Sequence, residues 1–270
     1  MGRANTRRRV THPLSCGGGV DLGEADMAIN SIGVINYSTM ASDADVTSWL
    51  RATQTHMGEV ARIWSLPAPT LQLVPVAVHR AEVDAWMVIV DDARQRFGLG
   101  WHDTGPNGEP AGYVLVNYTR QFQQQASRVF SHEVIEMCVD PKAERSVQIG
   151  GLLYMVEPGD ILSLDSQGTE VNGVLCSGYA YPSYYRLETG QRYDSGNYLT
   201  GPCPTMVHGT MLMYWGTGSW QQRMLAPTPE IEQGMLVHEA SRRHRRNLGH
   251  DRLTRSSPAE HDRRPDARPI

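Results

Sequence analysis

His132, Glu133 and Glu136 fall within one short run, FSHEVIEMCVDP, residues 130–141. An imidazole and two carboxylates at this spacing suit metal chemistry. On a helix, positions i and i+4 lie one above the other, so His132 and Glu136 can share one cation. Glu133 is displaced by one residue and points beside that cation, where a general base takes a proton from metal-bound water. With Phe122 at zero on a helical wheel of ~100° per residue, Phe122, Ala126, Val129, Phe130 and Met137 form an apolar stripe. Glu133 falls inside that stripe, with Glu136 and His132 on its edge. Gln124, Arg128 and Ser131 mark the opposite, solvent-facing side. Burying a carboxylate without a partner is expensive. A metal ion would compensate; so would a set of Arg or backbone partners, and both readings stand at this point.

Two carboxylates and one neutral imidazole cancel the charge of a divalent ion. The imidazole favours Zn²⁺, and the harder carboxylate set leaves Mn²⁺ and Ca²⁺ as alternatives. A third ligand must come from outside the run. Glu144, Glu157, Asp160, Asp165 and Glu170 follow it, and Glu157 and Asp160 flank the tight turn EPGD, which can fold back over the helix. His102, in GWHD, is a further candidate ligand or a substrate-facing group. Tyr179, Tyr181, Tyr184 and Tyr185 can donate to an oxyanion or simply pack.

The elements that must position these residues follow from periodicity. Residues 28–37, 70–78, 84–91 and 112–118 read as strands, and 98–110 as a turn-rich loop. Ser42 or Asp43 caps a helix to Trp64 that Pro67 closes. Thr119 caps one long helix through Val139, and Asp140-Pro141 ends it, because the residue before proline disfavours the helical region. Further on, 150–156 reads as a strand and 158–160 as a turn. Asn172-Gly173 within 169–177 is a strong hairpin signal. The aromatic, Gly-rich stretches 179–185 and 209–220 read as short strands and loops. An extended peptide can add to the strand 112–118 that precedes the motif helix, which makes Tyr118, with His102, a candidate substrate-binding residue.

The 270-residue chain divides by composition. Residues 1–26 read as a disordered or non-native extension, with Met27 as an alternative start. Residues 27–226 form one folded domain, and 227–270 a disordered Arg-rich tail. The folded part holds 19 acidic and 12 basic residues, a net of −7, against −4 for the whole chain. An acidic body suits a cation or a basic partner and argues against nucleic acid as its main ligand. Four scattered cysteines make neither a disulfide framework nor a thiolate zinc site. No stretch has the length of a membrane span, and no export signal follows Arg7-Arg8-Arg9.

The segments LGWHDTGPNGEPAGYVLVNY, SHEVIEMCVDP, EPGD and TEVNGVLCSGYAYPSYY resemble a family of phage- and prophage-associated proteins that is itself similar to the zincin class of metallopeptidases. Its members carry a Ser-His-Glu-x-x-Glu-Met…Asp-Pro helix. The likeness covers residues 85–190 and, weakly, 28–80. It implies that His132 and Glu136 are metal ligands and Glu133 the general base, with Glu157 and Asp160 as sources of further ligands. There are departures. Gly159 stands where a Cys is common, Ser163 where a Glu is common, and the SGY at 177–179 replaces a more usual Ser-Asp-aromatic.

The expectation is therefore an α+β, zincin-like domain. A small mixed sheet packs on two main helices, and a β-hairpin-rich C-terminal half follows. Its expected function is that of a metal-dependent (zinc) peptidase or hydrolase acting on a peptide or protein. Metal-bound water would be the nucleophile and Glu133 the base. The departures keep open an inactive relative, or a non-catalytic phage structural or virion-associated protein whose partners are virion proteins. The expected location is the cytoplasm or the virion.

Overall fold

Alternation of buried and half-buried residues builds the first sheet. The computed structural model describes residues 27–76, 82–92, 98–105, 107–216 and 219–225. The N-terminal extension and Arg-rich tail named above lie outside them. Five strands, β1 (Ser31–Asn36), β2 (Thr70–Leu73), β3 (Ala85–Val90), β4 (Gly100–Thr104) and β5 (Pro110–Leu115), form a sheet of order β2-β1-β3-β5-β4. All neighbours are parallel except β4, which runs antiparallel to β5 on the edge. Within the run 84–91, the uninterrupted apolar residues Ala85–Val90 supply the central strand β3, as a strand without polar positions demands.

Helix α1 (Asp43–Trp64) opens on a complete capping box. Asp45 N–H donates to Ser42 Oγ, and Ser42 N–H donates to the Asp45 carboxylate. It ends at Ser65, in the left-handed region, ahead of Pro67. The motif segment is not one helix from Thr119. It is α2 (Val116–Gln121) and α3 (Ala126–Val139), parted at Gln123, whose φ is 53°. Thr119 lies inside α2, with its hydroxyl on the Val116 carbonyl. Helix α3 packs on β4, β5 and α1, and α1 also packs on β2. Every α3 residue from Ser127 to Val139 is buried, Arg128 and Ser131 included. The solvent-facing side expected from the wheel does not exist: other elements close over it.

The stretch 98–110 is not a plain loop. Gly100–Thr104 is the edge strand β4, and Pro110 opens β5. Gly, His and Asp carry little strand propensity, so pairing with β5 decides the conformation. Strand β5 is hydrogen-bonded on both sides. Residues 116–118 of the expected strand belong to α2, peptide addition to β5 is ruled out, and the sheet's edge strands are β2 and β4.

The C-terminal half is antiparallel. Strands β6 (Ser146–Ile149), β7 (Leu152–Met155), β10 (Thr210–Gly216) and β11 (Ser219–Leu225) form a sheet of order β11-β10-β7-β6. Gly150-Gly151, both at positive φ, close the tight β6–β7 hairpin. Asn172-Gly173 close the expected hairpin of β8 (Thr169–Val171) and β9 (Val174–Cys176). The short helix α4 (Pro182–Tyr185) carries the buried Tyr184 and Tyr185. The fold is thus α+β, with a mixed sheet and two main helices. Among the described residues no helix is long and apolar enough to cross a membrane.

Candidate metal centre

Helix α3 delivers three of the centre's side chains, and two other elements deliver the rest. His132, Glu133 and Glu136 come from α3, His102 from β4, and Glu157 and Asp160 from the EPGD turn and the 3-10 turn after it (Asp160–Leu162). All six are buried, none more than 5% exposed. Five of them form two sets of donors, each within 4.8 Å: His132, Glu136 and Asp160, and His102, Glu133 and Glu136; Glu157 is in neither.

In the first set, His132 Nε2 lies 3.3 Å from Glu136 Oε1 and 3.3 Å from Asp160 Oδ1. Ligands held at ~2.0–2.1 Å in a tetrahedron stand ~3.3 Å apart, so these two separations are of the length that donors to one metal ion would have. The Asp160 N–H donates to Glu136 Oε1 at 3.0 Å, which ties the turn to the helix and orients that carboxylate. Gly159 makes the closure possible. A Cβ there would lie 2.7 Å from His132 Nδ1.

In the second set, His102 Nδ1 lies 3.5 Å from Glu136 Oε2 and 3.6 Å from Glu133 Oε2. Its other nitrogen, Nε2, is 3.1 Å from the Asp140 carbonyl and 4.0 Å from Glu157 Oε2. That carbonyl sits at the end of α3, where helical carbonyls lack internal partners. Glu133 fits against the sheet because β4 and β5 are notched. A Cβ on Gly100 would come 2.7 Å from Glu133 Oε1, and one on Gly112 would lie 3.6 Å from Glu133 Cβ.

Protein charges alone make both imidazoles bind protons tightly. Burial opposes the charged form of His132, but Glu136, Asp160 and Glu133 outweigh it and raise its pKa to about 10. His102 is raised well above the ordinary value: burial opposes this, and Glu133, Glu136 and Glu157 overcome it. Each histidine sits where a positive charge is required, and a proton or a metal ion can supply it. The buried groups of this cluster could hold a metal ion. None of the described cysteines falls in either donor set. Burial pushes Cys138 and Cys203 up to about 12 and Cys176 to about 11.

Other candidates separate from the cluster. Asp165 pairs with Arg128 at 2.7 Å, while Glu144 and Glu170 are exposed. Ser163 donates its hydroxyl to the Asp160 carbonyl. Tyr118 packs in a small apolar cluster with Trp101 and Leu115. Tyr184 bonds to the Thr205 carbonyl, and Tyr179 stacks edge-on against His56. Tyr185 is fully buried; burial raises its pKa most, with Tyr184, Cys203, Glu136 and Glu157 adding to it. Sequence reasoning had no signal to pick Tyr185 from its neighbours. Nor did it foresee that His102 would face Glu133, since only the sheet pairing brings β4 over α3. No protein-family model matches the chain, and no curated protein matches it as a relative.

Proposed function

We propose that the chain is a zincin-like, metal-dependent hydrolase, most simply a peptidase. Zn²⁺ would be held by His132, Glu136 and Asp160, with Glu133 as the general base. The observation that carries this reading is the pair of 3.3 Å donor separations around His132 Nε2, from residues that sequence spacing had already placed on one helix face. A bound zinc ion supplies a Lewis acid and an acidified water. Glu133 Oε2, buried and without a hydrogen-bond donor, is free to accept a proton and return it. Glu157 stands behind His102 and supports its charge. An extended peptide would lie along the outer side of β4, which ends the sheet order.

One observation favours a second reading. Catalytic zinc sites keep an open position and structural ones are closed, and every donor here is at least 95% buried. A structural ion in a non-catalytic phage or virion protein would need no access route. Turnover separates the two. Wild-type protein carrying metal is assayed on a quenched peptide library beside Glu133→Gln. The hydrolase reading expects a loss of ~10²–10⁴-fold in rate, with the ion at His132 retained. Equal turnover in the variant removes Glu133 as base. A loaded wild type without turnover transfers the conclusion to the structural reading.

A further inference from the structure

We propose that Glu136 bridges two divalent cations, the second seated between His102 Nδ1, Glu133 Oε2 and Glu136 Oε2. This rests on the metal-centre reading above and extends it from one ion to two.

Glu136 turns its oxygens in two directions. Oε1 completes the donor set of His132 and Asp160, and Oε2 completes that of His102 and Glu133. A carboxylate can bind one ion through each oxygen, and two metals ~3.5–4 Å apart act together in hydrolysis.

The hydrogen bonds of His102 make the stronger argument. Its Nε2 faces the Asp140 carbonyl at 3.1 Å, and a carbonyl only accepts, so Nε2 carries the hydrogen. In the neutral ring, Nδ1 then presents a lone pair. It points at Glu136 Oε2 and Glu133 Oε2, which are acceptors as well. Neither Nδ1 nor Glu133 Oε2 has a hydrogen-bond partner among the described residues, and both side chains are at least 98% buried. A buried imidazole nitrogen and two carboxylate oxygens this close need a positive charge between them, which a proton on Nδ1 or a divalent ion supplies; the three-sided donor set is the geometry that suits the ion. A histidine whose far nitrogen donates to a backbone carbonyl is also held as metal-ligating histidines are held.

Separations of 3.5 and 3.6 Å are tetrahedral edges for bonds of ~2.2 Å, which suits Zn²⁺ or Mn²⁺. Charge agrees. The six side chains supply four carboxylates and two imidazoles. Two divalent ions cancel four carboxylates, whereas one leaves a net −2 among them. The second ion also changes what Glu133 does. Its Oε2 becomes a ligand, so Glu133→Gln retains only the ion at His132.

The test counts ions. Full-length protein is stripped with chelator, loaded with Zn²⁺, desalted and measured by inductively coupled plasma mass spectrometry. Wild type should hold two ions per chain, and His102→Gln one. Electron paramagnetic resonance of wild type loaded with Mn²⁺ needs no variant, and should show the exchange-coupled signal of a bridged pair. A single ion in wild type, kept by His102→Gln, overturns the second position and leaves the first standing. Two ions kept by His102→Gln, or two uncoupled Mn²⁺ signals, overturn the bridge. No ion in wild type overturns both this proposal and the one before it.

Discussion

Gly159 shows how one absent side chain can govern a site. Its Cα approaches the His132 ring so closely that an added Cβ would lie 2.7 Å from Nδ1 and 2.9 Å from Cε1 and Cγ. No flexible end can yield there, because the ring is held between α3 and the turn. From sequence alone Gly159 stood out as a departure from a more usual Cys. The structure gives it a packing role: it lets Asp160 reach the metal face. Gly159→Ala should displace the ring, weaken zinc binding by ~10–100-fold and destabilise the fold by ~1–3 kcal/mol. A chelator competition with a fluorescent zinc indicator reads the first effect and a urea melt the second. Affinity equal to wild type would show that His132 is not a ligand in this orientation.

The break between α2 and α3 matters most among the elements. It places the amide of Gln125, the residue just ahead of α3, against Asp165, whose carboxylate accepts that N–H at 2.9 Å and pairs with Arg128 Nε at 2.7 Å. Asp165 thus does the work of an N-cap from forty residues away. Arg128 is 2% exposed, so losing its partner leaves a buried charge. Asp165→Ala should destabilise the protein by roughly 3 kcal/mol, at the low end for a broken buried pair because Asp165 is partly exposed. Asp165→Asn should recover part of this by keeping the bond to the Gln125 amide. Chemical denaturation of both variants checks the order. Sequence periodicity ran the motif helix through this break because Gln123, Gln124 and Gln125 are acceptable helix residues. Nothing local in them announces that a distant carboxylate stops the chain there. The apolar stripe drawn from Phe122 was therefore built on two helices, although Glu133 is buried as it required.

Metal and protons compete for the whole molecule. With protein charges alone, His132 titrates at about 10 instead of the ordinary 6.5. The folded chain then holds a proton that the unfolded chain releases. Stability from this group is fully present below pH ~6.5 and is lost as the pH rises through about 10. Bound zinc would reverse the sign, because it takes the neutral imidazole and its contribution would grow as protons leave. His56 works in another window. Burial, against its bond to the Ser177 carbonyl, lowers its pKa, so the fold loses stability as the pH falls below ~6.5. Urea midpoints in chelator should therefore fall between pH 7 and 9.5, and the fall should shrink or invert with saturating Zn²⁺. Identical pH profiles with and without zinc would count against the metal centre.

The sequence by itself determined what depends on near neighbours along the chain. A period of 3.6 residues put His132 and Glu136 on one face of α3, Asp140-Pro141 ended that helix, and Asn172-Gly173 turned the hairpin. These are local consequences of backbone geometry, and no distant contact overrides them. Tertiary structure decided which acid closes the first set: Asp160, twenty-four residues from Glu136, because its own N–H anchors the turn to that carboxylate. It also decided that His102 meets Glu133 and Glu136. The antiparallel edge pairing of β4 with β5 sets that meeting, and the glycine notches let α3 approach. Strand register and the path of a turn depend on packing partners far away in sequence. The helix could therefore be read from its residues, and the arrangement around it could not.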